Sequence, residues 1–240
     1  MSRLGPLFDD LRRDKRCAVI PYLVAGDPSE ALTVPLMHSL VDAGADVIEI
    51  GVPFSDPMSE GPTIQKGHER ALAGGTSLRS TLALVKQFRA TDSKTPLILM
   101  RYANPLERQG YAVVADACAD AGIDGLITVD LPPEEVDAMN TELQRHHIDN
   151  IFLISPTTSD VRVATITAQA SGFIYYVALK GVTGAGHLDT EAVERHLQTI
   201  RQHTDLPIAV GFGIKDADTA ATVSRCADAV VVGSALVDLV

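Results

Sequence analysis

A closed (β/α)8 barrel is the fold this sequence predicts, on three observations. First, eight short runs are apolar on both faces: Cys17–Val24, Val47–Gly51, Leu97–Tyr102, Gly125–Val129, Ile151–Ile154, Phe173–Val177, Ile208–Gly211 and Ala229–Gly233. That pattern belongs to parallel strands covered on both sides rather than to half-exposed antiparallel ones. Second, longer amphipathic stretches alternate with these runs along the whole chain. Strict β/α alternation leaves a closed barrel or an open doubly wound sheet. Third, a similar turn recurs before even-numbered strands: Ala43-Gly44-Ala45-Asp46 before the second, Ala121-Gly122-Ile123-Asp124 before the fourth, Cys226-Ala227-Asp228 before the eighth. An echo at every other strand suits a repeated unit and favours the barrel.

The elements follow in order. Residues 1–16 supply a short amino-terminal helix; they are charged and lack the apolar core of a signal peptide. Helices are predicted over Ser29–Ala43, Ile64–Ala73, Ser77–Ala90, Tyr111–Ala121, Glu134–His146, Asp160–Ala170, Thr190–His203 and Asp216–Ser224. Ser77, Asp160 and Asp216 are the capping candidates. Pro35 lies inside the first of these helices, which therefore starts near Thr33 or kinks. After the eighth strand only residues 234–240 remain, enough for a truncated final helix. No Pro/Gly/Ser-rich linker divides the chain, so residues 1–240 read as a single TIM-barrel domain.

Composition narrows the function classes. The chain of 240 residues carries a formal net charge of -11, which argues against a fold-wide nucleic-acid surface. Three separated cysteines form no CxxC, so zinc and redox readings fail; Cys17 and Cys226 read as small core residues. No apolar stretch approaches about 18 residues, so no membrane span is expected and the cytoplasm is the expected location. No residue cluster has metal-ligand spacing.

In such a barrel the chemistry sits at the carboxyl ends of the strands. Glu49 interrupts the apolar run Val47-Ile48-Glu49-Ile50. Pointed into the barrel, its carboxyl loses solvation, its pKa rises, and it becomes a general acid or base; the alternative is a structural carboxylate bonded to backbone or water. Glu60 follows eleven residues later, in a long loop restricted by prolines and glycines, and offers a second carboxylate over the same strand end. Three glycine clusters, Gly181–Gly186, Gly211–Gly213 and Gly233–Ser234, follow strands six, seven and eight. Backbone amides there suit a phosphate. Tyr22, Tyr102, Tyr175 and Phe212 fall at strand ends and either fill the core or line an aromatic pocket.

These residues also carry a resemblance. Ile48–Pro57 (IEIGVPFSDP), Gly61–Gln65 (GPTIQ), Tyr102–Pro105, Thr128–Pro132, Gly181–Ala185, Gly211–Ile214 and Gly233–Ala235 make the chain similar, over nearly its full length, to the tryptophan synthase alpha chain family. The resemblance implies a barrel lyase that cleaves indole-3-glycerol phosphate to indole and glyceraldehyde 3-phosphate. It implies catalytic roles for Glu49, Glu60 and Tyr175. It places Tyr22, Met100, Tyr102, Ile127, Val129, Thr183 and Phe212 around the indole, and Gly184, Gly213, Gly233 and Ser234 on the phosphate. No cofactor is implied in this chain. The implied partner is a pyridoxal-phosphate β chain in an αββα complex, which receives the indole; the Asp56 loop and the loop after strand six close over substrate and touch it.

The chain departs from the family pattern in four ways. Glu60 stands where aspartate is usual, Arg101 where glycine is frequent, and Ala178 where serine is frequent; the sequence also ends before the family's last long helix. Arg101 is expected near the pocket rim. Glu60 and Arg101 motivate a competing reading, an alpha chain that mainly activates the β chain allosterically. A third reading is another sugar-phosphate barrel enzyme.

Overall fold

The computed structural model describes residues 1–178, 190–211 and 213–240. Eight parallel strands close into a barrel in sequence order: β1 (Ala18–Val24), β2 (Ile48–Gly51), β3 (Leu97–Arg101), β4 (Gly125–Thr128), β5 (Asp149–Ile154), β6 (Ile174–Val177), β7 (Ile208–Gly211) and β8 (Ala229–Val232), with β8 bonded back to β1. All eight predicted runs are strands. Their two-sided apolar character has a direct cause. One set of alternate residues (Ile20, Val47, Ile98, Ile127, Ile151, Phe173) fills the barrel, while the other (Ile48, Leu97, Leu99, Leu126, Ile174, Val210) packs under the helices.

The recurring entry turn has a physical role. The N–H of Asp46 bonds to the carbonyl of Val19, and its carboxylate accepts the Val19 N–H at 2.9 Å. Asp124 does the same to Leu97, and Asp228 to Ile208. Each aspartate also holds an arginine: Arg16, Arg89 and Arg201 respectively. The three aspartates therefore clamp β1, β3 and β7 at the amino end of the barrel.

The helices are α1 (Leu4–Arg13), α2 (Glu30–Asp42), α3 (Pro62–Ala73), α4 (Leu78–Arg89), α5 (Ala103–Gln109), α6 (Tyr111–Ala121), α7 (Asp137–Arg145), α8 (Asp160–Gln169), α9 (Thr190–Arg201), α10 (Ala217–Val223) and the single turn α11 (Ser234–Val237). Leu4, Phe8 and Leu11 of α1 are buried in the interior cluster, so α1 plugs the amino mouth. Ser77 caps α4 in a capping box, and Asp216 caps α10, as predicted.

Several expectations need correction. α2 does not start near Thr33 but at Glu30, which leaves Pro35 inside it. It runs through the proline, sacrificing one bond to the Ala31 carbonyl while Thr33 and Met37 stay buried. Asp160 is the first residue of α8, not its cap; Ser159 holds that place, and Asp160 sits where the helix dipole favours an anion. α5 went unpredicted, and the predicted 134–146 helix is a 3-10 turn (Pro133–Glu135) followed by α7. Cys17 and Cys226 are only partly buried, whereas Cys118 is fully so. Arg101 follows inward-facing Met100, so the pleat turns it outward, away from the pocket rim. It is 5 % exposed, its Nη1 has no hydrogen-bond partner among the described residues, and burial holds its pKa down to about 10. Nothing in the structure explains it.

Candidate active site

The carboxyl end of the barrel opens into a cavity of about 570 Å³, within the roughly 300–1,000 Å³ of small-molecule sites. Strand parity builds its floor. Tyr22 lies opposite Glu49 in the β1–β2 register, and Tyr175 lies opposite Ala209 in β6–β7. Two inward-facing glycines make room for the tyrosines. A Cβ on Gly51 would sit 2.1 Å from the Tyr22 hydroxyl, and one on Gly211 would sit 2.2 Å from the Tyr175 hydroxyl. Each phenol therefore leans over a strand that offers no side chain there.

Glu49 is 1 % exposed and lines this cavity. Neither of its oxygens has a hydrogen-bond partner among the described residues. Burial, then the charge of Glu60, pushes its pKa up to about 8. Burial thus favours the protonated carboxyl at neutral pH, on a residue that lines the cavity. The structural alternative, a carboxylate satisfied by the protein, does not match this environment.

Glu60 arrives from the other side, on the loop 52–61 between β2 and α3. Its backbone carbonyl accepts from the Gln65 side-chain amide at 2.9 Å, and its carboxylate accepts the Tyr102 O–H. The Tyr102 oxygen in turn accepts the Ser59 N–H at 3.0 Å. Burial raises the Glu60 pKa, while the tyrosine hydrogen bond works against that rise by favouring the anion. Tyr102 is 1 % exposed and stacks on Phe54 with ring centroids 4.9 Å apart. It orients Glu60 rather than lining the cavity. Tyr175 does line it, and burial, then the Glu49 charge, keeps its phenol well above the usual range and hence neutral.

The segments after β7 and β8 contribute Gly213, Gly233 and Ser234, with Ile214, Lys215 and Ala235, to the cavity wall. Gly213 has φ +81°, a conformation that favours glycine. Of the predicted residues, Tyr22, Glu49, Glu60, Met100, Tyr175, Gly213, Gly233 and Ser234 share this one cavity. Val129 lines an adjoining one that also includes Met100, Leu153 and Val177. Ile127 is fully buried in the interior core. Thr183, Gly184 and Phe212 lie outside the described residues, as does the whole glycine-rich stretch Gly181–Gly186 after β6. Ile64, Val231 and Asp238 also line the cavity and were missed; only Val231 had a signal, its parity with inward-facing Ala229. Among the described residues no group of three or more His, Cys, Asp or Glu is placed to hold a metal, and no helix is long and apolar enough to cross a membrane.

Comparison with known proteins agrees with this geometry. The family model described as tryptophan synthase alpha chain matches residues 8–240. The alpha chain of Thioalkalivibrio sulfidiphilus is 58% identical over 238 residues, covering 99% of this chain and 90% of the relative. That of Thiobacillus denitrificans is 55% identical, covering 99% and 87%. The crystal structure of tryptophan synthase subunit alpha from Legionella pneumophila str. Paris superposes with a TM-score of 0.92 at 45% identity, covering 99% of this chain and 88% of that one. By its barrel, the residues gathered at its open end and these matches, the chain belongs to the tryptophan synthase alpha chain family.

Proposed function

We propose that Glu49, Glu60 and Tyr175 carry the lyase reaction of the family in this chain: retro-aldol cleavage of indole-3-glycerol phosphate to indole and glyceraldehyde 3-phosphate. The observation that carries the assignment is Glu49, a buried acid that lines the cavity and whose two oxygens have no hydrogen-bond partner among the described residues. The substrate phosphate lies at Gly213, Gly233 and Ser234, together with Gly184, where amides approach an anion closely. The indole lies toward Tyr22, Met100 and Val129, together with Thr183 and Phe212.

Glu49 gives its proton to ring carbon 3 of the indole, and the ring becomes a cationic indolenine. Glu60 accepts the ring N–H and stabilises that charge in a site with little water, where such an interaction is strong. The Glu49 carboxylate then takes the proton of the adjacent substrate hydroxyl. The carbonyl forms, the carbon–carbon bond breaks, and its electron pair returns to the ring. Glu49 ends protonated as it began. Tyr175, neutral and buried, packs beside the breaking bond. No step needs a cofactor in this chain. Pyridoxal phosphate belongs to a partner β chain, which takes the indole within an αββα complex in the cytoplasm.

Indole release from indole-3-glycerol phosphate, with and without a cognate β chain, tests this reading. Slow release by the chain alone and strong stimulation by the β chain are expected. No release under either condition would contradict it.

A further inference from the structure

His68, on α3, is 1 % exposed and joins two parts of the site. Its Nδ1 lies 3.0 Å from the backbone N of Phe54, and its Nε2 lies 3.2 Å from the Tyr22 hydroxyl. A backbone N–H can only donate, so Nδ1 is the acceptor and the ring proton is on Nε2, directed at the Tyr22 oxygen. Burial, opposed by the nearby Asp27 carboxylate, holds the His68 pKa down to about 4, so both roles persist at neutral pH. Phe54 stacks on Tyr102, and Tyr102 donates to Glu60. Phe54 and Glu60 stand on the same loop. A continuous set of contacts thus runs from the barrel wall at Tyr22, through His68, to the carboxylate at the loop's far end.

We propose that His68 is a positioning residue that tethers the start of the 52–61 loop to the barrel wall and thereby places Glu60 over the cavity. The inference rests on the lyase reading and goes beyond it, because His68 touches neither the cavity nor any reacting group assigned above. A buried ring that merely filled space would be replaceable by phenylalanine; a tether needs the acceptor at the Nδ1 position.

Three variants separate these roles. His68→Phe keeps volume and neither hydrogen bond. His68→Asn places an oxygen near the Nδ1 position and keeps the Phe54 contact. His68→Gln reaches toward Tyr22 with its amide nitrogen and loses the Phe54 contact. Misplacing a catalytic group by an ångström is expected to lower kcat for indole release roughly 10- to 100-fold in His68→Phe, with KM changing far less. His68→Asn is expected to recover most of that loss and His68→Gln little of it; this pair carries the comparison if the phenylalanine variant does not fold. Hydrogen exchange at the Phe54 amide supplies a readout independent of activity: fast in the Gln and Phe variants, slow in wild type and Asn. Wild-type kcat in all three variants, equal loss in Asn and Gln, or unchanged Phe54 exchange would each overturn the tether. A wild-type chain that released no indole would instead count against the lyase reading, and Phe54 exchange would still decide the role of His68.

Discussion

Asp124 and Glu49 are both 1 % exposed carboxyl side chains of the same barrel, and they live in opposite environments. Asp124, at the amino end, accepts four hydrogen bonds: from the Arg3 backbone N–H and Nη1 at 2.9 Å each, from Arg89 Nη2 at 3.0 Å and from the Leu97 N–H at 2.9 Å. Glu49, toward the carboxyl end, accepts none from the described residues. A buried charge is tolerated when fully paired, and an unpaired one stays protonated. One end of the barrel uses its carboxylate to hold strands; the other keeps a carboxylic acid ready for a ligand. The surroundings match. The amino mouth is closed by α1, with Phe8 against Phe173 at 5.8 Å between rings, whereas the carboxyl mouth remains a cavity.

The largest effect expected from this contrast is on Asp124. Asp124→Ala leaves Arg89 Nη2 and the Leu97 N–H without their acceptor, while Arg89 keeps the Gly122, Asp92 and Thr95 carbonyls, and should cost about 2–5 kcal/mol in urea unfolding. Indole release per folded molecule should not change. Glu49 should show the opposite dependence. Its folded pKa of about 8 exceeds the ordinary carboxyl value of 4.5, so the unfolded chain loses its proton first and stability falls as pH rises between those values. Between pH 4.5 and 7 wild type should lose about 3 kcal/mol relative to Glu49→Gln, since each pKa unit is worth about 1.4 kcal/mol. Equal pH slopes for the two proteins would mean that Glu49 is solvated or paired.

The glycines sharpen the comparison further. Gly211→Ala drives a Cβ into the Tyr175 hydroxyl and should cost about 1–3 kcal/mol, with indole release impaired because Tyr175 must move. Gly5, on α1 at the closed end, has nothing within 4 Å of an added Cβ. Gly5→Ala should therefore change stability by less than about 1 kcal/mol, the helix gain being offset by the restriction that Pro6 places on a residue with a Cβ, with release unaffected.

The barrel was legible in the sequence because each strand is apolar on both faces, a pattern that requires an interior and a helical cover. The recurring aspartate turns were legible as an echo, but their clamp geometry was not, since a turn motif does not reveal which N–H its carboxylate meets. Glu49 could be read because one charge in an apolar strand conflicts with its surroundings. Arg101 was misplaced although the pleat was available: Met100 faces in, so its neighbour faces out. Tyr102 and His68 were harder. Their roles depend on where an irregular ten-residue loop folds back, and neither periodicity nor spacing fixes that path. α5 was hidden because the Tyr102–Pro105 motif reads as a strand end, and Pro105 fits the first turn of a helix equally well.

The most direct test measures unfolding free energy and indole release on the same preparations of wild type, Glu49→Gln and Asp124→Ala near neutral pH. Glu49→Gln should fold at least as stably as wild type and release indole roughly 10²- to 10⁴-fold more slowly, the range for a lost general acid. Asp124→Ala should lose stability and keep its rate per folded molecule. Near-wild-type release by Glu49→Gln, or a rate loss in Asp124→Ala equal to that of the Glu49 variant, would contradict the division of the barrel into a structural end and a chemical end.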